Sequence, residues 1–200
     1  MVPDPIVGIV LAAGSSSRLG RPKQLEPFSG KPLVRYTVER VLKSSIDRVL
    51  VVVGAEEDRV TAALTGLAVE IVSNPEFATG QASSVIAGVT RAQDLHADAV
   101  VVLLADQPGV KPEAINALVS ERRSSGVLVG MARYGEQRSH PVLFGHEVFP
   151  ELLALSGDTG GREIIQRHRE SLVLVDGGRD TIPADLDTDA DLSMVKQDLE

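Results

Sequence analysis

The chain has 200 residues, of which 43% are hydrophobic and 24% are charged, a size and composition typical of one globular domain. It contains no cysteine, which excludes disulfide bonds, thiolate metal sites and cysteine nucleophiles. A net charge of −8 and an aromatic content of 3% argue against a nucleic-acid partner, because a polyanion would be repelled and few rings are available to stack on bases.

The N-terminal residues and the apolar segments predict the compartment. Residues 1–5 contain no basic region and no small-residue cleavage site, so a secretory signal is not expected. No apolar run reaches the length that crosses a bilayer. We therefore expect a cytoplasmic protein with no membrane partner.

Short runs rich in valine, isoleucine and leucine alternate with helical patterns, which is typical of βαβ units and a mostly parallel sheet. Strands are predicted at 6–12, 48–53, 69–73, 99–104 and 127–132, with two edge or antiparallel strands at 141–144 and 171–175. Helices are predicted at 32–43, 57–64, 81–92, 112–124, 147–155, 161–168 and 189–199. The pattern predicts a single α/β domain over residues 1–200, a doubly wound, mostly parallel sheet with helices on both faces and one antiparallel strand near the edge.

The segment after the first predicted strand carries the most specific signal in the chain. Residues 11–23 have the sequence Leu-Ala-Ala-Gly-Ser-Ser-Ser-Arg-Leu-Gly-Arg-Pro-Lys. A strand that breaks into a glycine- and serine-rich loop lies at the edge where open α/β sheets bind ligands. Gly14 allows close backbone approach, and successive N–H groups can form an anion-binding concavity. Arg18, Arg21 and Lys23 add three positive charges, so the loop predicts a polyphosphate site.

The spacing of this loop is Gly-x-x-x-Arg-x-Gly-x-x-Lys, which fits neither the P-loop nor the dinucleotide-binding fingerprint. It resembles the loop of the MobA-like nucleotidyltransferases, and the fuller string Ala-Ala-Gly-x-Ser-Ser-Arg-x-Gly-x-x-Lys-Gln-Leu is most similar to their molybdenum cofactor cytidylyltransferase branch. The resemblance implies a nucleotide-diphospho-sugar transferase-like fold and catalytic roles for Arg18 and Lys23. The nucleotide-binding residues that it implies are Leu11, Ala12, Ala13, Gly14 and Ser15. The other interpretation is a surface turn with incidental basic residues.

Asp106 is the second element of the predicted site. It follows the apolar run 100–104, and a carboxylate at the carboxyl end of a central strand points into the ligand crevice. Mg²⁺ binds through one or two carboxylates together with substrate phosphates, so Asp106 is predicted to be a metal ligand and a catalytic residue. Asp-Gln-Pro at this point also resembles the metal-binding aspartate segment of the family. The other interpretation is an aspartate that forms the turn ahead of Pro108.

Two further segments offer candidate ligands for the nucleotide and the metal. Gly80 and Ser84 match the family's Gly-x-x-x-Ser element, which contacts the base, although serines at this point are equally suited to cap the following helix. The segment around Asp187 resembles the family's Asp-Ile-Asp-Thr-Pro-Glu-Asp-Leu, which implies Asp187 as a second metal ligand. Thr188 and Asp191 also fit a capping box that opens the last helix, so a purely structural role stands as the alternative.

Gly160, Gly161 and Arg162 are predicted to bind the acceptor substrate. Two glycines at a helix start, next to an arginine, are suited to receive a phosphate group. The segment 157–162 also resembles the Gly-Asp-x-Gly-Ala-Arg string of the cytidylyltransferase branch. A glycine turn with a surface ion pair is the alternative. His140, which precedes a proline, is interpreted as a strand-end residue and not as a catalytic base.

Together these patterns predict a Mg²⁺-dependent nucleotidyltransferase. The phosphate monoester of a small acceptor would attack the α-phosphorus of a nucleoside triphosphate and expel pyrophosphate, without a covalent protein intermediate. The resemblance implies CTP as the donor, molybdopterin as the acceptor, and a molybdoenzyme as the partner that receives the product. The alternatives are a guanylyl- or cytidylyltransferase for phospholactate or a sugar phosphate, a non-catalytic cofactor-binding chaperone, and a regulatory nucleotide sensor.

Overall fold

The computed structural model describes residues 4–16, 20–180 and 182–185. The strands in these residues are β1 (Ile6–Leu11), β2 (Pro27–Phe28), β3 (Lys31–Pro32), β4 (Arg48–Val53), β5 (Glu70–Ser73), β6 (Ala99–Leu104), β7 (Val129–Tyr134), β8 (Gln137–Gly145) and β9 (Val173–Asp176). The helices are α1 (Leu33–Val41), α2 (Glu57–Ala63), α3 (Gln81–Asp94), α4 (Pro112–Ser125), α5 (Phe149–Leu153) and α6 (Arg162–Arg167), with short 3₁₀ turns at Lys23–Leu25, Phe77–Thr79 and His146–Val148. None of these helices combines the length and apolar character needed to cross a membrane.

Seven of the described strands form one sheet in the order β5-β4-β1-β6-β8-β7-β9, and β2 and β3 form a separate antiparallel hairpin. In the large sheet β8 runs antiparallel to β6 and β7, whereas the other neighbouring strands pair in parallel. The mostly parallel sheet is therefore confirmed. The strand predicted at 141–144 is antiparallel, but it lies two strands inside the edge, which β9 forms.

Helices cover both faces of the sheet because the central strands are apolar on both sides. Along β6, Val101 and Leu103 join one core cluster with side chains from α1, α2 and α4. Val100 and Val102 join the opposite cluster with side chains from α3, α5 and α6. Since successive side chains of a strand point to opposite faces, the continuous valine-rich run fills both layers at once. The doubly wound α/β fold is confirmed.

Several boundaries differ from the predicted ones for local reasons. α1 begins at Leu33 because Pro32 pairs with Pro27 in the β2–β3 hairpin. β7 extends to Tyr134 and turns directly into β8 through a two-residue connection in which Gly135 has φ +56, a backbone typical of tight hairpins. The predicted helix at 147–155 divides into a 3₁₀ turn and the short α5. The predicted helix at 189–199 lies outside the described residues.

The register of the central strands positions the predicted site. Leu11 at the end of β1 lies opposite Leu104 at the end of β6. The Ala105 N–H donates to the Leu11 carbonyl oxygen at 3.1 Å, and the Ala12 N–H donates to the Val52 carbonyl oxygen at 2.9 Å. The first loop and the turn after β6 therefore leave the sheet side by side, at the carboxyl edge where open α/β sheets bind ligands.

Candidate active site

A cavity of about 730 Å³ opens at the carboxyl edge of the sheet. It is lined by the first loop, the turn after β6 and the start of α3. The predicted residues that line it are Leu11, Ala13, Gly14, Ser15, Lys23, Gly80, Ser84 and Asp106. Ala12 is not among the lining residues, because its side chain is buried and packs in the core. Arg18 and Asp187 lie outside the described residues.

Lys23 and Asp106 form an ion pair within this cavity. The Lys23 Nζ donates to Asp106 Oδ2, although the two residues are 83 positions apart in the sequence. Their side chains are only 18% and 15% exposed, so solvent screens the pair weakly. Lys23 begins a 3₁₀ turn, and Asp106 lies in the turn directly after β6. The structure thus joins two residues that were predicted to be catalytic from separate motifs.

Gln24 holds the first loop in place and was not among the predicted site residues. It is 4% exposed, and its Nε2 donates to the carbonyl oxygens of Ala12 at 3.3 Å and Gly14 at 2.6 Å. Its Oε1 accepts a hydrogen bond from the Ser16 hydroxyl at 3.2 Å. The Ser16 oxygen in turn accepts from the Lys23 N–H at 3.0 Å. The two ends of the loop are therefore tied together, and the signal in the sequence was the place of Gln24 in the string Lys-Gln-Leu, which is part of the resemblance.

Gly80 and Ser84 line the same cavity at the start of α3. Gly80 has φ +122, and a Cβ at this position would lie 2.5 Å from the carbonyl carbon and oxygen of Gly157, so glycine is required. No side chain of the N-cap residue Gly80 is available to cap α3, and the Gln81 N–H instead donates to Asp158 Oδ1 at 3.1 Å. The serines therefore do not cap this helix.

A second cavity, of about 440 Å³, shares Lys23 and Asp106 with the first as lining residues. The predicted acceptor residues Gly160, Gly161 and Arg162 also line it. Its apolar side is formed by side chains of the sheet and the helices of one face, Val85, Val102, Met131, Val142, Phe144, Leu152 and Ile165. The Lys23–Asp106 pair thus stands at the boundary between two compartments.

His140 faces the second cavity from a bulge in β8. The register between β7 and β8 skips His140 and Pro141, which pair with no residue of β7. A bulge accommodates a proline, which has no N–H to donate, and commonly re-aims a side chain near an active site. Burial lowers the pKa of His140 to about 4, so the imidazole is neutral near pH 7. The prediction of a strand-end residue is wrong, because His140 lies inside β8 and lines a cavity.

Gln107 contributes a buried polar group to the second cavity. It is 3% exposed, and its Nε2 donates to Asp185 Oδ1 at 2.7 Å. Within the described residues its Oε1 has no hydrogen-bond partner. A buried acceptor without a donor costs about 1–3 kcal/mol.

Comparisons with known proteins agree with this arrangement. The family model for the MobA-like NTP transferase domain matches residues 8–172. Nicotine blue oxidoreductase of Paenarthrobacter nicotinovorans is 30% identical over 92% of both chains. A probable molybdenum cofactor guanylyltransferase of Thermococcus sibiricus is 29% identical over 64% of this chain and 62% of its own length. The structure of Rv0371c from Mycobacterium tuberculosis in complex with manganese is 27% identical, covers 98% of this chain and 100% of its own, and has a TM-score of 0.82.

The family match begins within β1 and extends past the acceptor segment, and so includes both members of the ion pair and every residue that lines the first cavity. The chain belongs to the MobA-like NTP transferase family and is a nucleotidyltransferase.

Proposed function

We propose that the protein transfers a nucleoside monophosphate from a nucleoside triphosphate, with CTP favoured, to a phosphate monoester on a small acceptor, and releases pyrophosphate. The observation that carries this proposal is that the Lys23–Asp106 pair lines both cavities. A donor triphosphate in the first cavity and an acceptor phosphate in the second would meet at these two groups. Such a transfer depends mainly on positioning and charge neutralisation.

The first cavity offers what a triphosphate requires. Its backbone amides can surround phosphate oxygens, and the Lys23 ammonium supplies a positive charge. Because Gln24 and Ser16 fix the loop in advance, little reorganisation would be needed as charge develops in the transition state. Ala12 would contribute its backbone only, since its side chain is buried in the core. Arg18 is proposed to share the role of Lys23.

Mg²⁺ is the proposed cofactor, and the chemistry of Asp106 suits it. Magnesium needs only one or two carboxylates when substrate phosphates and water complete its shell. That requirement is compatible with the absence, among the described residues, of any group of three or more histidine, cysteine, aspartate or glutamate side chains. Bound Mg²⁺ would neutralise phosphate charge and favour departure of pyrophosphate. The manganese in the similar mycobacterial structure supports a divalent cation, and Asp187 is proposed as its second ligand.

The proposed transfer needs neither a protein nucleophile nor a general base. An oxygen of the acceptor phosphate forms a bond to the α-phosphorus, and the bond from that phosphorus to the bridging oxygen breaks, with its electron pair leaving on pyrophosphate. A phosphate monoester is already anionic at neutral pH, so no proton has to be removed. Lys23 would stabilise the charge on the transferred group, and the neutral His140 would bind the acceptor without adding charge.

Molybdopterin is the proposed acceptor. Gly160, Gly161 and Arg162 would receive its terminal phosphate, while the apolar side of the second cavity would contact its ring system. The similarity to a probable molybdenum cofactor guanylyltransferase supports this assignment. A molybdoenzyme would then receive the product.

Pyrophosphate release tests the proposal. The protein is incubated with Mg²⁺, either CTP or GTP, and one acceptor at a time from molybdopterin, phospholactate and a sugar phosphate. We expect the fastest release with CTP and molybdopterin. Faster release with GTP would assign GTP as the donor, and faster release with phospholactate or a sugar phosphate would assign that compound as the acceptor. No release from any pair, with nucleotide binding retained, would contradict transfer and favour a binding protein.

A further inference from the structure

Asn74 forms hydrogen bonds beside the first cavity with the first turn of α3, which includes Ser84, a residue that the sequence predicts to contact the nucleotide base. Asn74 is 3% exposed and directly follows β5. Its Oδ1 accepts from the Glu76 N–H at 3.0 Å, which fixes the orientation of the side-chain amide. Its Nδ2 therefore faces the first turn of α3 and donates to Ser83 Oγ at 2.9 Å and to Ser84 Oγ at 3.0 Å.

The two serine hydroxyls differ in where their protons go. Each oxygen accepts from Asn74, and each hydroxyl keeps one O–H donor. The Ser83 hydroxyl donates to the Gly80 carbonyl oxygen at 2.8 Å, and Ser83 is not among the described residues that line the cavity. Ser84 does line it, and within the described part of the chain its O–H has no acceptor. The Ser84 proton is thus left for a ligand.

The surroundings of Ser84 suit an uncharged ligand group. The segment from Phe77 to Ser84 contributes no charged side chain to the cavity, whereas Lys23, Asp106 and Asp158 supply charge from other elements. A triphosphate would be costly to bury without cations, but a neutral heterocycle needs only apolar contact and a few hydrogen bonds. Phe77 and Ala78 provide the apolar contact, and Ser84 provides a donor.

We infer that Asn74 is a positioning residue that sets Ser84 as a hydrogen-bond donor to an acceptor atom, a carbonyl oxygen or ring nitrogen, of the nucleotide base. The inference rests on the proposed binding of a nucleoside triphosphate in this cavity. Because the Ser84 oxygen already accepts one amide proton from Asn74, and its own proton has no acceptor within the described residues, the Ser84 hydroxyl is set to donate to the base.

Calorimetric titration with CTP, GTP and inorganic tripolyphosphate, each with Mg²⁺, separates the base contact from the phosphate contacts. Ser84→Ala is expected to weaken binding of the preferred nucleotide about threefold to tenfold, the range of one neutral hydrogen bond, and to leave tripolyphosphate affinity unchanged. Ser83→Ala removes the neighbouring hydroxyl of the same pair and should change neither affinity. Equal losses for nucleotide and tripolyphosphate in Ser84→Ala would overturn the inference.

Asn74→Asp tests the positioning role, because a carboxylate accepts from the Ser84 O–H and draws it away from the cavity. The nucleotide-to-tripolyphosphate affinity ratio should fall as it does in Ser84→Ala, with no further fall in the double variant. Independent, additive losses would contradict action through Ser84. If Asn74→Asp does not fold, Asn74→Ala, which frees the hydroxyl to rotate, is combined with Ser84→Ala in the same way.

Nucleotide binding by the wild-type protein distinguishes failure of the proposed function from failure of the inference about Asn74 and Ser84. A wild-type protein that binds neither nucleotide would contradict the proposed function. A wild-type protein that binds a nucleotide as tightly as Ser84→Ala does would contradict only the inference about the base.

Discussion

Replacement of Gln24 by leucine should cost far more activity than stability. The change removes the donors to the Ala12 and Gly14 carbonyls and the acceptor for Ser16. Gly14 is exposed, so its carbonyl can be hydrated, but the buried Ala12 carbonyl would lose its partner. With about 1–3 kcal/mol for one unpaired buried acceptor, partly offset by the apolar side chain, the free energy of unfolding should fall by about 2 kcal/mol. A loop displaced by about 1 Å would lower turnover about a hundredfold.

Pyrophosphate release and urea unfolding, measured on the same samples, separate the two effects. Gln24→Glu keeps the shape and the acceptor for Ser16 but cannot donate to either carbonyl, so it should also lose activity. Arg122→Lys is the matched control, because Arg122 binds Asp98 at the amino end of β6, the opposite end from Asp106. It should lose stability and keep its turnover. Normal turnover in Gln24→Leu, despite the lost stability, would refute the role of Gln24 in holding the loop.

Three other substitutions test separate parts of the structure. Lys23→Ala should lower turnover at least about a hundredfold with the fold intact, because one preorganised charge contributes about 2.7–4 kcal/mol to the barrier; a near-normal rate of pyrophosphate release would reject this role. Gly80→Ala should lower the free energy of unfolding by at least about 3 kcal/mol, because its Cβ would meet the Gly157 backbone. The control Gly126→Ala, at a position with φ +68 and open space, should lower it by about 1 kcal/mol. Similar urea midpoints for the two variants would contradict the clash at Gly80. Hydrogen bonds from Arg122 hold the pKa of Asp98 below its usual range, so their contribution to stability is present above about pH 4 and is lost as pH falls through the lower, folded-state pKa. Asp98→Asn should flatten this dependence of the unfolding free energy on pH. An unchanged slope would exclude Asp98 as its source.

The strand assignments show which parts of the fold local sequence determines. The valine-rich runs of β4 and β6 have the predicted bounds, because a strand buried on both faces is a continuous apolar run between polar turns. The place of β8 could not be predicted in the same way. The run 141–144 was predicted to be an edge or antiparallel strand; it is antiparallel but internal, because the bulge at His140 and Pro141 lets a proline occupy an internal strand. A bulge depends on pairing with β7, which the strand's own residues do not reveal.

The residues of the candidate site likewise divide into those that the sequence predicts and those that only the folded chain brings together. Lys23, Asp106 and the first loop were predictable, because a loop after β1 and a turn after β6 must meet when their strands are neighbours. Gln24 and Asp158 were missed, since Gln24 contacts carbonyls that approach it only once the loop has folded, and Asp158 binds the Gln81 N–H across 77 residues. Glutamine and aspartate are mostly exposed in proteins, so residue type alone does not distinguish these two from surface residues.

The central claim is that one triphosphate occupies the first cavity, next to the ion pair that borders the second. A crystal structure with Mg²⁺ and a non-hydrolysable CTP analogue tests it most directly. Phosphate oxygens within hydrogen-bond distance of Lys23 Nζ, with the cation on the Asp106 carboxylate, are the expected result. Phosphates bound elsewhere on the surface, with the Lys23–Asp106 pair unchanged from the nucleotide-free protein, would contradict it.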